Sequence, residues 1–185
     1  MAYLTYIIDN YQNLPNVSIL LHAHRDGYPV AWHNDNNQYS KTWAVRHLKI
    51  STVENHGFVS LRSNWVPGCP ADIQPFRDPP EAHRDLEHIF ARVCKEIFGA
   101  EAEVPERIGT PCCAQFAVTR SDVQQRTKAE WEGYREWLFN TDENDETSGR
   151  VFELLWHILF GREPVMCKEF VACYCEVYGK HCDGY

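Results

Sequence analysis

Three histidines, His22, His24 and His33, follow one apolar run of the sequence closely. His22 and His24 would point to the same side of a strand, because side chains alternate along a strand with a period of two. Imidazole nitrogens and carboxylate oxygens ligate zinc, iron, manganese and copper, and three such ligands with one open position make a catalytic metal site. We therefore expect a divalent metal as cofactor, bound by His22, His24 and His33.

The spacing of these residues gives the metal hypothesis little specificity. It reads His-x-His, then eight residues, then His-x-Asp ending at Asp35, and it matches no established metal signature. The competing interpretation is that one or two of the imidazoles cap a strand end or hydrogen-bond to the backbone.

Glu153 and His157 form the second pair that could carry chemistry. They stand four residues apart in the run GRVFELLWH, so they share one face of a helix that is otherwise apolar. Burying a carboxylate beside an imidazole is costly unless the pair is satisfied. We predict that Glu153 is a catalytic general base oriented by His157, and that the pair completes the site of His22 and His24. The alternative is a solvated pair on the outer edge of the helix.

Substrate contacts are predicted from residues beside the histidines and near the ends of elements. A planar guanidinium binds phosphate through two parallel hydrogen bonds, and aromatic rings line many ligand clefts. Most surface arginines bind nothing of the kind, and the sequence has no glycine-rich phosphate loop. The predicted substrate-binding residues are Arg25, Trp32, Asp35, Arg120 and Arg150.

The composition restricts the class of partner. The 185 residues include 18 Lys and Arg against 26 Asp and Glu, which gives a formal net charge of −8. A nucleic-acid binder needs a basic face that displaces counterions from phosphates. We therefore expect a small-molecule substrate and no nucleic-acid partner.

The eight cysteines bear on localisation. No stretch approaches the roughly 20 apolar residues of a membrane span, and the start lacks the features of a secretory signal. Cysteine-rich chains are nevertheless typical of oxidising compartments, so an origin in the secretory pathway stays open. Disulfides between the C-terminal tail and the core are favoured over a zinc site there, because C-x2-C spacing is missing. The tail cysteines are Cys167, Cys173, Cys175 and Cys182.

Hydrophobic periodicity and turn residues predict strands that alternate with helices. This order is typical of an α/β fold, and we expect one three-layer domain over residues 1–185 with a mostly parallel sheet and an irregular Cys-rich tail over 164–185. The capping-box pattern at Ser121 predicts a helix start there. Strands are predicted over 17–21, 57–61 and 112–119, and helices over 2–13, 42–48, 81–98, from 121, around 131–138 and from 148 to 160.

Several long motifs together resemble a fungal family catalogued only as a domain of unknown function. They include YLTYIIDNYQNLPNVSILLHAHRDGYPVAWHND, LRSNWVPGCPADIQPF, PCCAQFAVTRSDVQQR and SGRVFELLWHILFG. Members of that family usually carry a further N-terminal portion with a first strand and an NKG-type loop, so the resemblance implies that this chain lacks it. Such proteins often sit beside secondary-metabolite genes, and no activity comes with the family.

A fainter resemblance concerns the order of parts. The order of parts in this chain is similar to that in nucleotide-sugar glycosyltransferases. The parts are a helix, a strand ending in x-His-x-His, an FAVTR segment and GRVFELLW. In those enzymes the corresponding strand ends in a metal-binding Asp-x-Asp. The resemblance implies a transferase acting in secondary metabolism. Two alternatives remain: a histidine-rich metalloenzyme, an oxidase or hydrolase of a natural-product pathway, and a non-catalytic truncated or accessory protein.

Overall fold

The computed structural model describes residues 1–182, which form helices around a small central sheet. The strands are β1 (Val17–Leu20), β2 (Phe58–Ser60) and β3 (Phe116–Thr119). The helices are α1 (Ala2–Asn10), α2 (Lys41–His47), α3 (Ile50–His56), α4 (Asp85–Phe98), α5 (Arg120–Val123), α6 (Lys128–Asn140), α7 (Asp145–Leu159) and α8 (Phe170–Tyr178).

The sheet has the strand order β1-β3-β2, and both outer strands run antiparallel to β3. In register, Leu20 of β1 and Ser60 of β2 both lie opposite Phe116, at the start of β3. The prediction of a mostly parallel sheet was therefore wrong. Alternation of strands and helices indicates their order along the chain, but it does not determine the direction in which distant strands pair.

Helices cover both faces of the sheet, and β3 alternates between them. Phe116 and Val118 belong to the larger core cluster, which packs against α1, α4, α6 and α7, whereas Ala117 faces the smaller cluster with α2, α3 and α8. All residues of β3 are buried as a result. A continuously apolar strand is usual in parallel sheets, and here double coverage gives an antiparallel strand the same pattern.

Side-chain caps mark the starts of several helices. Thr127 and Glu130 form a capping box at the start of α6, which satisfies backbone N–H groups that the helix leaves free. The helix predicted to start at Ser121 is present as α5, but it begins at Arg120 and its cap is Thr119 and not Ser121. Helix α3 was not predicted.

The C-terminal tail is joined to the body by a disulfide between Cys69 and Cys167. A second disulfide joins Cys175 to Cys182, and Cys173 is a buried free thiol. The cysteines of the tail are thus mostly oxidised rather than arranged as zinc thiolates. The tail is also helical where an irregular chain was expected, since α8 lies within it.

Disulfide-bonded cysteines are compatible with an origin in the secretory pathway. Within residues 1–182, no helix has both the length and the apolar character needed to cross a bilayer.

Candidate metal centre

The rings of His22, His24 and His33 form one cluster just past the end of β1. The ring centroids are 5.2 Å apart for His22 and His24, 5.0 Å for His22 and His33, and 5.4 Å for His24 and His33. Strand β1 ends at Leu20, so His22 and His24 follow it within four residues. The turns after His24 bring His33 next to them.

These separations agree with the size of a tri-imidazole site. With metal–nitrogen bonds of about 2.0–2.1 Å and a tetrahedral angle at the ion, the centroids of three bound imidazoles would lie about 5 Å apart. The nitrogens themselves are not yet directed at one point, because the three potential ligand atoms do not all fall within 4.8 Å of one another. Metal binding therefore requires rotation of one or more rings about their side-chain torsions.

The cluster combines a buried ring with an exposed one. His33 is 3% exposed, and its Nε2 is buried without a hydrogen-bond partner in the described chain, whereas His24 is exposed. Burial, followed by repulsion from His22, His24, Arg62 and Lys41, lowers the pKa of His33 to about 4. Burial likewise lowers the pKa of His22. Both rings are thus favoured in the neutral form, which is the form that binds metals.

Gln115 connects this cluster to the central strand. Its Oε1 accepts a hydrogen bond from the backbone N–H of His22 at 3.2 Å, and its Nε2 donates to Asn34 Oδ1 at 3.1 Å. The side chain is 3% exposed, so it spans the interior between the segments that carry His22 and His33. The sequence offered one weak signal for this role, a glutamine directly before the apolar run of β3.

Asp35 is turned toward the backbone and not toward the histidine rings. Its Oδ2 accepts from the N–H groups of Ser63 and Asn64 at 2.5 and 2.9 Å, and its Oδ1 lies 3.6 Å from Arg62 Nη1. Arg62 Nη1 in turn donates to the backbone oxygen of His33 at 2.9 Å. Asp35 was predicted to bind substrate. In the structure it instead fixes the Ser63–Asn64 backbone and the Arg62 side chain, which contacts the backbone of His33.

Trp32 and Arg25 lie at the surface next to the cluster. The Trp32 side chain is 45% exposed, its ring meets that of His33 edge-on at 6.0 Å, and the Arg62 guanidinium lies 5.0 Å from its centroid. Arg25 is exposed beside His24 in the chain. The structure therefore leaves both residues accessible to a ligand at the histidines.

Arg120 and Arg150 lie elsewhere. Arg120 follows Thr119, which pairs with Val17 at the start of β1, so it stands at the opposite end of the sheet from His22. Arg150 lines a separate depression with Glu87 and other acidic residues. The structure does not bring these two predicted substrate residues to the histidine cluster.

His157 is buried and Glu153 is half-buried, so they are not a solvated surface pair. Glu153 Oε1 accepts from the N–H of Cys113 at 2.5 Å. His157 is 1% exposed, its Nε2 lies 3.0 Å from the backbone oxygen of Pro164, and burial lowers its pKa to about 4. Both line a narrow crevice together with Gln115.

Cys112 and Cys113, adjacent in the chain, are bonded to each other in a disulfide. With Glu153 they form the group whose potential ligand atoms lie within 4.8 Å of one another, the one such trio found over residues 1–182. Cysteine binds metals as a thiolate, so the oxidised pair is not a metal site.

The fold and the cluster define a mixed α/β protein with an antiparallel three-stranded sheet and three histidines grouped past one strand. The chain belongs to the family described as "Protein of unknown function (DUF3431)", whose model matches residues 1–176. Comparison with curated proteins and with solved structures returns no match.

Proposed function

We propose that the protein binds a transition-metal ion through His22, His24 and His33 and uses it on a small-molecule substrate. The observation that carries the proposal is the mutual ring spacing of 5.0–5.4 Å, which agrees with three imidazoles around one ion. The partnerless Nε2 of buried His33 supports it, because buried polar atoms normally have partners.

Imidazole ligands favour zinc, copper, iron or nickel over magnesium and calcium. Three protein ligands leave an open position, at which an ion can polarise a carbonyl or lower the pKa of a bound water. The exposed Trp32 ring beside His33 would serve as an apolar platform for the substrate. The proposed function is that of a metalloenzyme of the hydrolase or oxidase type. This agrees with the natural-product setting that the family resemblance implied.

The glycosyltransferase-like hypothesis receives no comparable support. It rested on the order of parts along the chain, and the sheet that these parts form is antiparallel. Its general base was to be Glu153, whose carboxylate accepts from the Cys113 N–H. A non-catalytic accessory protein is the outcome that remains if the histidines bind no metal.

The test is metal binding by the purified protein, measured by isothermal titration with zinc and copper and by elemental analysis. We expect one ion per chain, with loss of binding in His22→Ala and in His24→Ala. The His24 side chain is exposed, so its removal leaves the core intact. The matched control is His83→Ala, because the His83 side chain is 78% exposed and lies outside the cluster. Absence of stoichiometric metal, or equal binding by His24→Ala and His83→Ala, would overturn the proposal.

A further inference from the structure

A cavity of about 270 Å³ lies on the β2 side of the molecule, between α3, α8 and the segment that precedes α8. Much of its wall is apolar, and this part includes Phe58, Val59, Met166 and Val177. Ligand pockets for drug-sized molecules are about 300–1,000 Å³, so this cavity suits a compact organic molecule with an apolar body.

Each cation in the wall already has an acid partner. Arg62 pairs with Asp35, Arg162 with Asp122 and Lys168 with Glu176. A ligand with acceptor oxygens would therefore be recognised by the N–H donors that these pairs leave unused.

Arg162 retains the most unused donor capacity. A guanidinium has five N–H donors, and in the described chain the hydrogen bonds of this side chain are limited to one nitrogen, Nη2, with Asp122. Its Nε has no partner, and the same holds for Nε of Arg62. Lys168 is paired with Glu176 and its side chain is 52% exposed, so it stands where solvent enters.

The free thiol in the cavity wall is a poor nucleophile. Cys173 accepts a hydrogen bond from Ser63 Oγ at 3.1 Å, and burial raises the pKa of its thiol. A protonated thiol is a poor nucleophile, so this wall contributes polarizable surface and not covalent chemistry.

We propose that this cavity binds a compact organic carboxylate, with the carboxylate between Arg162 and Lys168 and the apolar body against Phe58 and Val177. Carboxylate matches the planar donor pair of a guanidinium, and an apolar body matches the remaining wall. The site is separate from the histidine cluster, although Arg62 touches both through its bond to the His33 backbone oxygen.

The experiment compares cinnamate with cinnamamide, which have the same body and differ in charge. Isothermal titration of the metal-free protein should show cinnamate binding at least tenfold more tightly than the amide. Arg162→Gln and Lys168→Met should each weaken cinnamate binding severalfold, whereas Lys95→Met on α4, away from the cavity, should leave it unchanged.

Circular dichroism reports whether Arg162→Gln has folded. If that variant does not fold, Lys168→Met tests the carboxylate site instead, because its substitution is at a half-exposed side chain. Equal binding of the two probes, binding of neither, or the same affinity in Lys168→Met and Lys95→Met would overturn the proposal. The His24→Ala variant should keep cinnamate binding, so failure of the metal proposal and failure of this one are told apart.

Discussion

The side chain of Gln115 accepts a hydrogen bond from the backbone N–H of His22 across 93 positions of sequence. Its amide nitrogen donates to Asn34, next to His33. One buried side chain at the start of the central strand thus holds both segments that supply the histidine cluster. The cluster is therefore positioned by the sheet as well as by its own loop.

Gln115→Leu is expected to weaken metal binding without removing a ligand. The variant leaves the His22 N–H and the Asn34 amide without their partner, which should cost about 1–3 kcal/mol of unfolding free energy. Loss of an outer partner that orients ligands typically lowers metal affinity by about 10–100-fold. Metal titration and urea unfolding measure the two effects. Gln124→Leu, at an exposed glutamine, should change neither property appreciably, and equal behaviour of the two variants would contradict the assigned role.

His157 should make the fold sensitive to acid. Burial lowers its folded-state pKa to about 4, below the usual value of 6.5, so the unfolded chain binds its proton first as pH falls. The stabilising contribution is full above pH 6.5 and declines as pH falls toward about 4. A shift of this size corresponds to about 3 kcal/mol.

The measurement is urea unfolding of the wild type and of His157→Gln at several values between pH 7 and pH 4. Subtracting the two curves removes the contribution of other titrating groups. The wild type should lose more stability than the variant over this range, and parallel curves would show that His157 does not titrate on unfolding.

The strands and the first part of the cluster could be predicted from sequence, but their assembly could not. β1, β2 and β3 fall inside the predicted ranges, because turn residues bound short apolar runs. Strand direction depends on contacts between distant segments, and no local pattern encodes it. Helix α3 was missed because Ile50, Thr52 and Val53 favour strands locally, and packing on the sheet overrides that preference.

The same limit applies to the site. His22 and His24 are adjacent to a strand end, so their common location could be foreseen, whereas the partners of Glu153 are set by tertiary structure. Glu153 meets the Cys113 N–H, 40 positions away in sequence. Helical spacing identified the face that Glu153 and His157 share, but it carried no information on which element that face would meet.

The two tail disulfides should differ in their contribution to stability. The Cys69–Cys167 bond spans 98 positions of sequence and the Cys175–Cys182 bond spans 7. Loop-closure entropy grows with the logarithm of the loop, so the longer link should stabilise by about 2 kcal/mol more than the shorter one. Guanidinium unfolding of the two paired Cys→Ser variants measures this difference. Equal losses would indicate that residual structure in the unfolded chain, and not loop entropy, determines the effect.

Substitution of Asp35, which pairs with Arg62, tests whether this acid stabilises the fold or binds substrate. Their side chains are 6% and 3% exposed, so Asp35→Ala leaves a buried guanidinium without its carboxylate. Such a loss typically costs about 3–5 kcal/mol. The exposed pair Lys128 and Glu132 provides the contrast, and Glu132→Ala should change the unfolding free energy by less than about 1 kcal/mol.

The double variant of this pair gives the sharper test. Asp35→Ala combined with Arg62→Met removes the uncompensated charge, so it should be more stable than Asp35→Ala alone, as measured by urea unfolding. If Asp35 instead contacted substrate and contributed little to the fold, Asp35→Ala would unfold like the wild type and the second substitution would only add destabilisation. Recovery in the double variant therefore identifies Asp35 as the residue that keeps Arg62, and through it the backbone of His33, in place.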